Sequence, residues 1–377
     1  MEQESCQLVD STSSKSRPIR LLIDGRKLGD GGIGVYIENA VVGLLQTGSV
    51  DITVIGTQHA STHYEWARSV DWIFSSARQY SFREYFLLAR GIDFSRFDVF
   101  HAPHYTLPFG IPIPTVVTIH DLIHLTHPQA FYYPIVARRL IASAVRRSRF
   151  VIAVSEATRR GIVSEFGVEQ ERIVCIPNAV SPYLMREGDL FRVRNSDAPY
   201  FVSVLSNTKP HKGVEDLLSA YAVFRREFFE RQQDRECPNL LLAGYGAEAL
   251  RASNDDVFAE GVEVCGAVET SVLRQLYRGA SALIVPSFAE GFCLPAVEAQ
   301  SLGTRVLCRP VGALQELVSN DDVVTEDFSI EAFVAGMHNI CSRTDVDPAA
   351  RHKHLEKFSL ATTSAKLCAL YRRVTGV

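Results

Sequence analysis

The chain has 377 residues, 46% hydrophobic and 22% charged, with a formal net charge of −4. That describes a folded globular protein long enough for two cores. The charge balance argues against bulk nucleic-acid binding, and no apolar run approaches the roughly 20 residues of a membrane-spanning helix.

Residues 1–18 are polar and Ser-rich, with no apolar stretch for a signal peptide, and read as a disordered lead-in. None of the eight cysteines forms a CxxC pair, so buried reduced thiols in a cytoplasmic protein are expected. Short apolar runs then alternate with helical patterns. Strands are expected at Ile19–Asp24, Asp51–Ile55, Val99–Ala102, Thr115–His120, Phe150–Val154 and Ile173–Ile176. A second series follows at Tyr200–Leu205, Leu240–Ala243, Val262–Cys265, Ala282–Val285 and Arg305–Cys308. Continuous apolar strands separated by helices predict parallel sheets covered on both faces. Ser181–Ala198, with Pro182 and an Asn-Ser-Asp turn signal, is the linker candidate. The fold class is therefore α/β: two doubly wound, Rossmann-like domains, 19–185 and 186–355, facing across a cleft. Residues 356–377 are expected to form a helix packing back on the first domain. Ligands of such sheets bind at the carboxyl ends of the strands.

The first strand ends in Asp24, and Gly29-Asp30-Gly31-Gly32-Ile33-Gly34 follows, with a helix expected from near Val35. The pattern matches the dinucleotide fingerprint, so an NAD-dependent oxidoreductase is one alternative. The acid that should end the next strand is missing, because Gly56-Thr57-Gln58-His59 stands there. The loop also suits a phosphate or sugar brought to backbone amides and a helix N-terminus.

His120-Asp121 closes an apolar strand, with His101, His104, His124 and His127 nearby. Ala102-Pro103 breaks any helical register between His101 and His104, so the reading is a polar strand-end histidine and no metal site. Lys209-Pro210-His211-Lys212-Gly213 lies between a strand and a helix. Two amines beside a helix N-terminus suit a diphosphate.

The strongest motif is Pro286-Ser287-Phe288-Ala289-Glu290-Gly291-Phe292-Cys293-Leu294-Pro295-Ala296-Val297-Glu298. Pro295 fits the first turn of a helix. The loop can aim amides at an anion while Glu290 and Glu298 offer carboxylates to hydroxyls. A hydrolase pair is the other use of two carboxylates. With the lysine turn nearby, the arrangement points to an anionic, hydroxyl-rich ligand such as a nucleotide sugar. Asp345-Val346-Asp347 before Pro348 reads as a surface turn, and Walker A, HExxH and GxSxG patterns are absent.

From Glu290 to Glu298 the sequence resembles the retaining family-4 glycosyltransferases of the GT-B fold. Gly31–Gly34, Thr118–Asp121, Ala153–Glu156, Ile176–Asn178, Ala243–Gly246, Tyr277–Ala280 and Gly303-Thr304 resemble that family's segments in order and spacing. The resemblance implies hexosyl transfer from a GDP- or UDP-linked sugar to a saccharide or lipid-linked acceptor, with retention, no metal and no resident cofactor. It implies that Glu290 contacts the sugar hydroxyls, Glu298 the ribose and Lys212 the diphosphate. Gly291, Phe292, Cys293 and Leu294 would present backbone around sugar and diphosphate. His120 would face the transferred sugar, and Gly32 and Gly34 would close over the phosphate and acceptor side. Many relatives carry arginine where this chain has Asn207; Lys209 is the candidate replacement, without the guanidinium fork. The Asp24-Gly25-Arg26 start and the Gly-Ile-Gly-Val-Tyr loop look most like bacterial mannosyltransferases for surface polysaccharides, which favours GDP-mannose. The Asn207 departure keeps a non-catalytic nucleotide-sugar-binding protein as a further alternative. Finally, Phe131–Phe150 is apolar and basic, suiting either an anionic bilayer surface or a helix packed on its own domain.

Overall fold

Two parallel sheets organise the chain, as a computed structural model describing residues 17–77, 80–186, 198–231, 235–253, 260–343 and 347–376 shows. The first contains β1 (Ile19–Asp24), β2 (Val50–Gly56), β3 (Asp71–Phe74), β4 (Val99–Ala102), β5 (Thr115–Ile119), β6 (Phe150–Ala153) and β7 (Ile173–Cys175). Its order is β3-β2-β1-β4-β5-β6-β7. The second contains β8 (Tyr200–Val204), β9 (Asn239–Ala243), β10 (Val262–Gly266), β11 (Ala282–Val285), β12 (Arg305–Cys308) and β13 (Val323–Val324), in the order β10-β9-β8-β11-β12-β13. Every strand pairing is parallel. Both sheets are doubly wound, and each reverses direction once, between β1 and β4 and between β8 and β11. A crevice opens at such a reversal, outside the carboxyl ends of the strands.

The central strands form because they are short apolar runs with helices on both faces. All five residues of β5, Thr-Val-Val-Thr-Ile, are buried. Sequence periodicity does not reveal β3 or β13. β3 is an edge strand with no fully buried residue, and β13 has two residues. The glycine loop also differs from expectation. The helix starts at Gly31 rather than near Val35, its first bond running from the Gly34 amide to the Asp30 carbonyl.

The last helix, Leu360–Thr375, packs on the first sheet's domain against the helix Gly31–Thr47. A Cβ on Gly43 would stand 1.9 Å from Ser364 Oγ, so glycine allows the helices to touch. The Tyr371 hydroxyl hydrogen-bonds with His101 Nδ1 at 2.7 Å, beneath β4. Part of the linker candidate is structured: Pro182–Met185 is a short helix whose Leu184, 2% exposed, joins the second core. Residues 187–197 of the linker candidate and 1–16 of the lead-in 1–18 lie outside the described residues.

Candidate active site

The acidic loop and the lysine turn leave neighbouring strands of the second sheet at its reversal point. Lys212 follows β8 and Glu290 follows β11. Lys212 Nζ donates to Glu290 Oε1 at 2.6 Å, and Ser287 Oγ donates to the same oxygen at 2.7 Å. Burial opposes the Lys212 charge, but Glu290's charge and hydrogen bond outweigh it and hold the ammonium above its ordinary pKa. Gly213 ends the turn at φ +64, and a Cβ there would meet the Pro286 carbonyl at 2.3 Å. Glycine therefore lets the turn lie on the start of the acidic loop.

Arg309, fully buried, secures this junction from below. Its guanidinium lies 3.8 Å from the centre of the Phe288 ring and pairs with Asp216 at 2.5 Å. The Phe288 amide donates to the His211 carbonyl at 2.7 Å.

Asn207 and Lys209 enter the same turn. Asn207 Oδ1 accepts the Lys209 amide at 3.1 Å, and Lys209 Nζ has no ion-pair partner among the described residues. Beyond Glu290 the chain turns sharply. Cys293 adopts φ +89 and caps the helix Leu294–Ser301 with Pro295 in its first turn. Phe292 is buried, its ring edge against Phe358, so only its backbone can serve the cleft. Glu298 lies one turn into that helix and accepts from the Tyr277 hydroxyl at 3.2 Å. Burial pushes its carboxyl up to about 7, with the Tyr277 bond pulling the other way.

The first domain meets this surface directly. A Cβ on Gly291 would stand 2.0 Å from the His120 carbonyl oxygen and 2.6 Å from Asp121 Cβ, so the acidic loop lies on the His120 backbone. Gly32 faces Leu294 at 3.9 Å by the same measure. Gly34 instead lets the Lys27–Gly29 turn fold close, its Cβ position being 2.7 Å from the Gly29 nitrogen. His120 Nε2 is 2.9 Å from the Pro103 carbonyl, and Tyr36 packs edge-on at 4.9 Å between ring centres. A carbonyl only accepts, so Nε2 carries the proton and Nδ1 is left as an acceptor. Burial lowers the His120 pKa and keeps the ring neutral, against smaller opposing contributions from Pro103 and Asp121.

The structure thus gathers Lys212, Glu290, Gly291 and His120, with Glu298 one helical turn behind and Gly32 against Leu294. Gly34 serves its own loop. Sequence reasoning misses Ser287 and Tyr277 as the partners that orient the two carboxylates, and also Arg309. No local pattern relates Tyr277 to Glu298 or Arg309 to Phe288, since strands and helices intervene. Other polar groups lie elsewhere. Arg305 donates to the Arg343 carbonyl at 2.7 Å. Asp347 caps the helix Pro348–Leu355 through the Ala349 and Ala350 amides, while Asp345 and Val346 lie outside the described residues. Among the described residues no three His, Cys, Asp or Glu side chains converge as a metal-ligand set. The seven described cysteines are free thiols, Cys265 being exposed.

Comparison with known proteins agrees with this architecture. The family model described as Glycosyltransferase Family 4 matches residues 30–183, and that described as Glycosyl transferases group 1 matches 198–343. The chain is 28% identical over 255 residues to O-antigen chain mannosyltransferase B of Escherichia coli, covering 63% of each chain. It is 23% identical over 241 residues to the O-antigen chain mannosyltransferase RfbU of Salmonella typhimurium, again over 63% of each. The matched part is therefore under two thirds of the length of these relatives. Among solved structures, Anabaena Alr3699/HepE in complex with UDP and glucose shares the fold at a TM-score of 0.69 and 17% identity, over 94% of this chain and 100% of that one. With two family models covering the two halves in order and both sheets wound alike, the chain belongs to the family-4-like glycosyltransferases of the GT-B fold.

Proposed function

We propose that the protein is a hexosyltransferase that moves a sugar from a nucleotide diphosphate to a saccharide or lipid-linked acceptor, with retention and without a metal. The observation carrying this reading is the Lys212–Glu290 pair at the reversal point of one sheet, with the adjoining Gly291 against the His120 backbone of the other. In this reading Lys212 and Lys209 meet the diphosphate, and the Leu294–Ser301 helix start adds amide donors. Glu298 takes the ribose hydroxyls, Glu290 orients the sugar, and His120 faces it from the other domain. The bond from the sugar's anomeric carbon to the diphosphate breaks, and the acceptor oxygen bonds to that carbon from the same face. The acceptor's proton passes to the leaving diphosphate oxygen. Catalysis rests on positioning and on charge held where negative charge develops.

GDP-mannose is the favoured donor, because the relatives named above are mannosyltransferases; UDP-glucose is the alternative suggested by a neighbour solved with UDP and glucose. Work at the inner membrane face is supported by the exposed Phe131, Tyr132, Ile135 and Val136 beside Arg138 and Arg139. No described helix is long and apolar enough to cross a membrane. The deciding experiment is a melting-temperature screen of nucleotides and nucleotide sugars, followed by turnover of the stabilising donor in EDTA. GDP or UDP should stabilise the fold, NAD should not, and turnover should survive chelation. Stabilisation by NAD alone would revive the oxidoreductase reading, and loss of turnover restored by Mg²⁺ or Mn²⁺ would remove metal independence.

A further inference from the structure

Glu316 lies in the second domain, on the short helix Gly312–Leu317 that follows β12. Its carboxylate reaches the first domain. Oε2 accepts the Glu156 amide at 2.7 Å, and Oε1 accepts the Ala157 amide at 2.6 Å. These amides open the helix Glu156–Phe166, where backbone donors have no partner within the helix. Ser155 Oγ takes the Thr158 amide at 3.1 Å. A carboxylate placed there gains charge-assisted bonds and the favourable end of the helix dipole. Arg160 adds a cation 3.5 Å from Oε1. The two helices also touch, because a Cβ on Gly312 would stand 3.2 Å from that of Ala157.

The capped turn reaches the cleft through Thr158. Its hydroxyl lies 3.3 Å from the His120 carbonyl oxygen and 3.4 Å from that of Gly291. One hydroxyl thus bridges the first domain's strand end and the second domain's acidic loop. The turn that places this hydroxyl is the turn that Glu316 caps. If the domains part, the carboxylate and both amides return to water. The contact therefore exists only in the closed arrangement and biases the domains toward it.

We infer that Glu316 is a closure latch: a positioning residue that holds the two domains together and so keeps His120 against the Gly291 loop. It acts through the backbone turn and Thr158. Its effect on turnover rests on the transferase reading proposed above, but its effect on closure does not.

The test uses the full chain as wild type, Glu316→Ala and the isosteric Glu316→Gln. Amide exchange at Glu156 and Ala157 should quicken at least tenfold in Glu316→Ala and less in Glu316→Gln, which keeps an acceptor oxygen. The radius of gyration from X-ray scattering should rise in Glu316→Ala, both free and saturated with GDP or UDP. The nucleotide Kd should stay within about threefold, while kcat for release of nucleotide from GDP-mannose or UDP-glucose falls at least tenfold. If Glu316→Ala does not fold, the same readouts on Glu316→Gln decide. Unchanged exchange in both variants overturns the latch. Faster exchange with unchanged scattering and unchanged kcat reduces Glu316 to a local helix cap and overturns it too. If neither nucleotide binds the wild type, the transferase reading fails, and exchange and scattering of the free proteins still decide the latch.

Discussion

Lys212 Nζ stands 2.6 Å from Glu290 Oε1, with the two side chains 17% and 10% exposed. Read as a sequence, the lysine turn suits the diphosphate and Glu290 the sugar hydroxyls, with no contact foreseen between them. The pairing changes that expectation. Lys212→Ala strands a nearly buried carboxylate that keeps Ser287 as a hydrogen-bond donor. Loss of one partner of a buried pair costs about 3–5 kcal/mol when fully enclosed, and less at a cleft wall. We expect a lowered melting temperature for Lys212→Ala and a near-normal one for the double variant Lys212→Ala, Glu290→Gln. Calorimetric melts of both proteins check this.

The same pair sets a kinetic expectation. In the proposed reaction Lys212→Ala takes one held charge from the leaving diphosphate, which typically costs about 3 kcal/mol in the transition state, on the order of a hundredfold in rate. Lys212→Arg should recover part of it. Glu290→Ala should also lower kcat if Glu290 orients the sugar as proposed. Steady-state kinetics at pH 7 test this; kcat/KM near wild type for both Lys212→Ala and Glu290→Ala would mean the chemistry lies elsewhere.

Much of the fold is legible in the sequence. β1, β4, β11 and β12 fall at the residues expected from their apolar runs, because each is enclosed by helices and its burial is written as continuous hydrophobicity. β3, at the edge, lacks that signature. In the site, Glu290, Lys212 and His120 show themselves as polar residues beyond strand ends, and Glu298 by its place in the acidic motif. Their relationships do not show. Lys212 and Glu290 are 78 positions apart, and Glu316 and Glu156 are 160 apart. The first pairing arises from two strands that a crossover makes neighbours in one sheet, the second from the docking of the two domains, and no local period encodes either.

Gly291 tests how closely the domains must approach. A methyl group there would overlap the His120 carbonyl, a backbone group that cannot swing aside. Gly291→Ala is expected to wedge the cleft open, cutting kcat at least tenfold while leaving nucleotide affinity near normal. Nucleotide calorimetry beside turnover separates the two effects, and an unchanged kcat would show that catalysis tolerates a wider gap.

The exposed side chains Phe131, 89% exposed, Tyr132, Ile135 and Val136 precede Arg138 and Arg139 at the start of the helix Tyr133–Arg147. Apolar groups beside cations favour the interface of an anionic bilayer. We expect co-sedimentation with phosphatidylglycerol vesicles, weaker with phosphatidylcholine, and loss of binding in the double variant Phe131→Ser, Ile135→Ser. Equal sedimentation of wild type and variant would assign the patch another use.

Glu298 gives the sharpest pH prediction. Burial disfavours its charge and pushes the carboxyl in the folded protein up to about 7, from the 4.5 of an ordinary glutamate. The sign follows from proton counts: between those values the native state holds more protons than the unfolded chain, so stability falls as pH rises. The shift corresponds to about 3 kcal/mol. Glu298→Gln, which cannot ionise, should therefore be more stable than wild type at pH 8, with the difference vanishing near pH 4. Ligand binding has the opposite slope. Ribose hydroxyls donate best to a carboxylate, so bound nucleotide should pull the Glu298 pKa down and release a proton. Affinity for GDP or UDP should improve as pH rises from 6 to 8 and level off above the free-state pKa. The nucleotide's own phosphate also titrates in this range, so the comparison is wild type against Glu298→Gln. Calorimetry in two buffers of different ionisation enthalpy counts the protons released. Equal release by both proteins would remove Glu298 from the ribose and leave the Tyr277–Glu298 bond as a structural contact.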